Sequence, residues 1–79
     1  MKVGEVVTIN GTTFVVLKIV KCVKFESETN ALDYMRVGEC YPVILVNDIN
    51  EKHKQYLIID RFENKHYFDA DYFEVVDTI

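Results

Sequence analysis

Tryptophan is absent from this chain, serine and proline occur once each (Ser27 and Pro42), glycine three times and cysteine twice. Each scarcity removes a class of function. With three scattered glycines there is no glycine-rich loop to cradle a phosphate. The lone serine stands in an acidic stretch far from His53 and His66, so nothing proposes a nucleophile beside a base held by a third group. Cys22 and Cys40 are too far apart in sequence to suggest a metal knuckle, and two cysteines make no disulfide framework; they read as buried, reduced thiols. The same spacing argument sets aside a zinc set made of Cys22, Cys40, His53 and His66. No cofactor or metal is expected, and the chain reads as a non-enzyme.

Long apolar runs are missing too. The densest segment, "FVVLKIVKCVKF", is broken by Lys18, Lys21 and Lys24 and falls short of the roughly 20 residues that span a bilayer. "MKVGEVV" carries no apolar core followed by a small-residue cleavage site, so the expected location is cytoplasmic. The net charge is −4. Lys2, Lys18, Lys21 and Lys24 face only Glu5 up to Phe25, whereas Asp60, Glu63, Asp69, Asp71, Glu74 and Asp77 face only Arg61 and Lys65 later on. An acidic total argues against a general nucleic-acid binder, which needs a clustered basic face.

What remains is abundant: almost half the residues are hydrophobic, many of them β-branched or aromatic. That composition predicts one folded, mainly β domain over residues 1–79. Asn10-Gly11 supplies the positive φ angles of a two-residue hairpin turn between arms Glu5 to Ile9 and Thr12 to Lys24. In the second arm Val15, Leu17 and Ile19 alternate with an outward Lys18, but Lys21 and Lys24 have the opposite parity. A bulge or bend near Val20 to Val23 would absorb the slip. Residues 26–36 form the longest loop, or a loop with a short helical turn. "CYPVILVND", "QYLIIDRF", "HYFDA" and "EVV" read as strands, separated by the turns "DINEKHK" and "ENK" and by a helical turn near 69–73. Asp69 and Asp71 are better explained as caps of that turn than as a cation pair.

"MKVGE" returns at Met35 to Glu39 as "MRVGE". The likeness ends after five residues and a repeat architecture needs about three copies. The shared part is therefore one local device, a glycine-permitted turn that opens a strand, used twice.

The order of a Val-Gly-Glu opening, an Asn-Gly hairpin, a long bent strand, a variable loop, a second Val-Gly-Glu opening and the finish "YLIIDRFENKHYFDADYFEVV" resembles small SH3-like barrel proteins of bacteriophages and prophages. The resemblance implies an all-β, five- to six-stranded, partly open barrel, ending in a hairpin, a short helical turn and a strand whose aromatic seals the core. It fixes no activity, because small barrels host unrelated roles. Peptide-binding SH3 domains line a proline-rich ligand's groove with aromatics that commonly include tryptophan. Tyr34, Tyr41, Tyr56, Tyr67 and Tyr72 would have to serve alone, and they read mainly as packing.

Three binding readings follow. The first is a protein-binding module contacting a host protein through Glu26, Glu28, Asp33, Tyr34 and Arg36 of the loop and Tyr56 and Tyr67 of the C-terminal hairpin. The phage resemblance implies its concrete form, an inhibitor that covers a surface of a host protein such as a defence nuclease. The second is a nucleic-acid-binding barrel using Lys18, Lys21 and Lys24. The third is a homodimer through the edge strands of an incomplete barrel.

Overall fold

The structure, a computed structural model, describes residues 2–24, 35–50 and 52–79. It is all-β as expected, with more strands than expected: β1 (Val6–Ile9), β2 (Thr12–Val15), β3 (Lys18–Cys22), β4 (Cys40–Asn50), β5 (His53–Ile59), β6 (Lys65–Asp69), a single 3-10 turn (Ala70–Tyr72) and β7 (Phe73–Thr78). The first two form their own hairpin, and the other five make an antiparallel sheet in the order β6-β5-β4-β3-β7. Asn10 and Gly11 both adopt positive φ, as the hairpin turn requires.

Asp69 and Phe73 lie on opposite edges of that sheet. Laid flat at ~4.8 Å per strand, the edges would stand roughly 19 Å apart. The 3-10 turn that joins them covers only about 8 Å at ~2 Å per residue. The sheet must therefore curl, and its concave side holds the larger core, where Val20, Cys22, Val43 and Ile58 are fully buried. The open side is sealed by rings: Phe73 lies 6.2 Å from Tyr56 and 6.2 Å from Phe68, centroid to centroid. Phe73, the first residue of the last strand, is thus the aromatic that closes the core.

The convex side carries a second, smaller core. Ile44, Leu57 and Ile59 are covered by Val7, Ile9 and Phe14 of the hairpin. This is why "YLII" is apolar without alternation: Tyr56 and Ile58 face one core, Leu57 and Ile59 the other. Ile44 is an extra residue between the pairs Val43↔Ile58 and Leu45↔Leu57, so it bulges, bends β4 and joins the convex core.

The bend in the second arm is real but lies earlier than expected. Val16 still belongs to the hairpin: Gly4 donates its N–H to the Val16 carbonyl, and Val16 donates to Glu5. Leu17 already belongs to the sheet, donating to Val43 and accepting from Ile79. One peptide step thus transfers the chain between sheets. The shift also reverses the expected parity, because Val16, Val20 and Cys22 are buried while Val15 is exposed. The bulge near Val20 falls on the partner strand instead, where Val76 is the extra residue between Ile19↔Asp77 and Val20↔Val75.

The repeated pentapeptide builds the same turn twice. Glu5 donates to Lys2 and Glu39 to Arg36, closing the two turns around Gly4 (φ 88°) and Gly38 (φ 95°). Each turn is then clamped to a buried residue of the second arm. Gly4 and Glu5 bracket Val16, and Gly38 and Glu39 bracket Cys22, in each case with the glycine donating to that residue's carbonyl and the glutamate accepting its N–H.

Two further boundaries differ. β4 runs to Asn50 and β5 starts at His53, both inside "DINEKHK", and β5 stops before Asp60, whose side chain organises the next loop. The 3-10 turn falls where a helical turn was expected. Asp69, however, makes no side-chain cap; its carboxylate sits 3.1 Å from His53 Nε2.

Candidate functional site

In an antiparallel sheet, residues directly opposite one another share a face. The register Leu45↔Leu57↔Tyr67 therefore sets one apolar row across β4, β5 and β6 on the convex side. The hairpin covers the middle of this face but stops short of the ends. Leu57 is buried, whereas Leu45 is 44 % and Tyr67 50 % exposed. The next row, Asn47↔Gln55↔Asp69, is polar and bounds the apolar one. On the other side Lys65 lies over the Phe14 ring at 5.1 Å, closing the border between β6 and the hairpin. The result is an apolar row whose two ends, Leu45 and Tyr67, reach solvent beside a polar row.

At the opposite end of the hairpin is a cleft of about 450 Å³ between its turn and the β5–β6 loop, with Val7, Ile9, Ile59 and Phe62 among its lining residues. The loop beside it is built on one carboxylate. Asp60, 5 % exposed, accepts the N–H of Phe62 (2.8 Å) and Asn64 (2.9 Å) on Oδ1, and Oδ2 lies 2.7 Å from His66 Nε2. This makes His66 a structural partner of the loop. Sequence reading missed Asp60, although an Asp that opens "DRFEN" is the usual start of a side-chain-closed turn.

Glu26, Glu28, Asp33 and Tyr34 lie outside the described residues. Arg36 is exposed, and its backbone N–H donates to the Tyr41 hydroxyl (2.8 Å), which donates onward to Glu39 Oε2 (3.2 Å). Burial is the main reason the Tyr41 hydroxyl's pKa is raised. Tyr67 stands on the rim as expected. Tyr56 does not: it is 8 % exposed, and its ring packs within the concave core because its register partner is Phe68 on the inner face.

The three lysines do not form one stripe. Lys18 shares a face with Val43 and is half-buried at the mouth of the concave side, its Nζ donating to Thr78 Oγ1 at 3.0 Å. Lys21 points to the opposite face, and Lys24 lies beyond the strand. A backbone-tracking groove needs its cations on one side, which this placement does not supply.

Of the two cysteines only Cys22 is buried, where burial pushes its thiol pKa up; Cys40 is exposed, because it opens β4 outside both cores. No group of three or more potential metal ligands occurs among the described residues. No helix among them is long and apolar enough to cross a membrane.

Compared with protein-family models, with curated proteins and with solved structures, the chain matches none.

Proposed function

We propose that this chain is a non-enzymatic protein-binding module of a phage or other mobile element. In this reading it acts in the cytoplasm of a bacterial host, inhibiting or modulating a host protein, for example a defence nuclease, by covering its working surface. The observation that carries the reading is the row Leu45–Leu57–Tyr67, whose two ends, Leu45 and Tyr67, are about half exposed beside a polar row while Leu57 between them is buried. Protein interfaces concentrate their affinity in such apolar, aromatic-anchored centres with wet rims. Tyr67 is the anchor: it has a large apolar ring, a polar tip and few torsions to freeze. The acids from Asp60 onward favour a basic partner surface such as the substrate face of a nuclease, and would speed encounter with it.

The test is affinity capture of the tagged protein from a bacterial lysate, with and without nuclease treatment, followed by calorimetry with the purified captured protein. A stoichiometric partner that survives nuclease, and that loses affinity with Leu45→Glu/Tyr67→Glu, is the expected result. A Glu26→Lys/Glu28→Lys/Asp33→Lys variant measures the loop's share. Recovery of nucleic acid, or capture indifferent to the Leu45/Tyr67 change, would sink the reading.

A further inference from the structure

Among the described residues the five-stranded sheet ends at two edge strands, β6 and β7, and they differ in kind. β7 is defended. Val76 bulges out of register, Glu74 and Asp77 place acids along the strand, and Asp77 Oδ1 accepts the N–H of Thr78 at 3.0 Å, occupying a donor another strand would need. Paired with itself about Val75 and Val76, the strand would set Glu74 against Asp77 of the second copy, like charge on like. Bulges and charges of this sort are how natural sheets prevent edge pairing.

β6 differs: among the described residues it has no bulge, and its end charges, Lys65 and Asp69, are of opposite sign. Its pairing with β5 is regular over all five residues, Lys65↔Ile59 to Asp69↔Gln55, without a bulge. Asp60 donates its N–H to the Asn64 carbonyl, which makes that pair a hydrogen-bonded position of the ladder. Alternation then turns the N–H and C=O groups of His66 and Phe68 toward β5, and those of Lys65, Tyr67 and Asp69 toward the open side. These are also the three residues whose side chains lie on the convex face with the apolar strip.

We infer that β6 is a self-complementary edge that pairs antiparallel with β6 of a second copy of this chain, centred on Tyr67. A two-fold axis through Tyr67 sets Tyr67 opposite Tyr67 of the second copy and Lys65 opposite its Asp69, and the reverse. All these residues present their backbone groups outward, so each pair exchanges both of its N–H···O bonds. Opposite charges meet at both ends of the strand and aromatic meets aromatic at the centre, the isologous arrangement a two-fold contact requires. Asp69 would then lie between His53 of its own chain, 3.1 Å away, and the incoming lysine. The strip Leu45–Leu57–Tyr67 of one copy would continue into that of the other, but the pairing needs no host partner and stands independently of the proposed function.

The test uses the purified full chain. Sedimentation equilibrium from micromolar to millimolar concentration should show a monomer–dimer equilibrium. Lys65→Asp and Asp69→Lys should each weaken it roughly tenfold or more, since each sets like charges face to face twice over. Lys65→Asp/Asp69→Lys should restore it to within a few-fold of the parent, a recovery that misfolding would not produce. In a Cys40→Ser background, Tyr67→Cys should form a disulfide-linked dimer on mild oxidation, because residues facing each other across such a pair lie about 5.5 Å apart at Cα. A monomer at every concentration, or a dimer that the double swap fails to restore, would overturn the inference.

Discussion

Asp60 and His66 face each other across the base of the β5–β6 loop, Oδ2 to Nε2, at 2.7 Å, while Oδ1 of the same carboxylate holds the N–H groups of Phe62 and Asn64. One buried side chain thus satisfies two backbone donors and fixes a ring. Replacing it by alanine takes the acceptor away from two part-buried backbone donors. Asp60→Ala should cost about 2–3 kcal/mol in urea unfolding. Asp60→Asn keeps one acceptor oxygen and should recover part of the loss. A midpoint within about 0.5 kcal/mol of the parent for Asp60→Ala would mean that the loop holds itself without the carboxylate.

The two glycine turns make paired predictions. A Cβ at Gly4 or Gly38 would meet nothing within 4 Å, so the cost of Gly→Ala there is the positive φ alone, about 1–2 kcal/mol. Because the backbone hydrogen bonding around the two is the same, the two variants should lose similar amounts, and Gly→Asn should lose less. Glu63 is the converse case, a non-glycine residue at φ 66°. Glu63→Gly should stabilise the protein, by at most about 1 kcal/mol once the freer unfolded chain is counted. Denaturant midpoints decide all five.

How much was legible follows from how local each feature is. The Asn-Gly hairpin, the reuse of Val-Gly-Glu and the 3-10 turn are set by a few adjacent residues, and each was readable. The parity of the second arm was not, because it depends on a partner change between Val16 and Leu17 that no local pattern marks: both flanks are equally apolar. The expectation of a single bent strand came from lysine parity, and Lys18 misled it by reaching Thr78 from an inward-facing position. In the same way Tyr56 and Tyr67 look alike in sequence, each beside apolar or aromatic neighbours. Only the sheet's register sends one into the concave core and leaves the other on the convex rim.

Those two tyrosines supply a direct test of that placement. Tyr56→Ala removes a ring packed against Phe73 and should cost about 3–5 kcal/mol, enough to threaten folding in a chain of this size. Tyr67→Ala should stay within about 1 kcal/mol, since half the ring already faces water. Equal losses would contradict the register.

Alkaline titration probes the concave core as a whole. The pKa values of Cys22, Tyr41 and Tyr56 are all raised, chiefly because burial disfavours their charged forms. For an acid whose folded-state value exceeds its unfolded one, the folded state holds more protons through the interval between them. The stabilisation is complete below the unfolded value and is lost as pH climbs through the folded one. Stability should therefore be level up to roughly pH 8.5, where an unfolded thiol ionises, then fall, and fall more steeply above about pH 10 as the phenols join. The measurement is the urea midpoint against pH in a Cys40→Ser background, which removes the exposed thiol. Adding Cys22→Ala lowers stability at every pH but should flatten the curve between those two values, leaving only the later descent. A decline that begins at the same pH with and without Cys22 would show that its thiol is as free to ionise in the folded chain as in the unfolded one, and the core about it correspondingly wet.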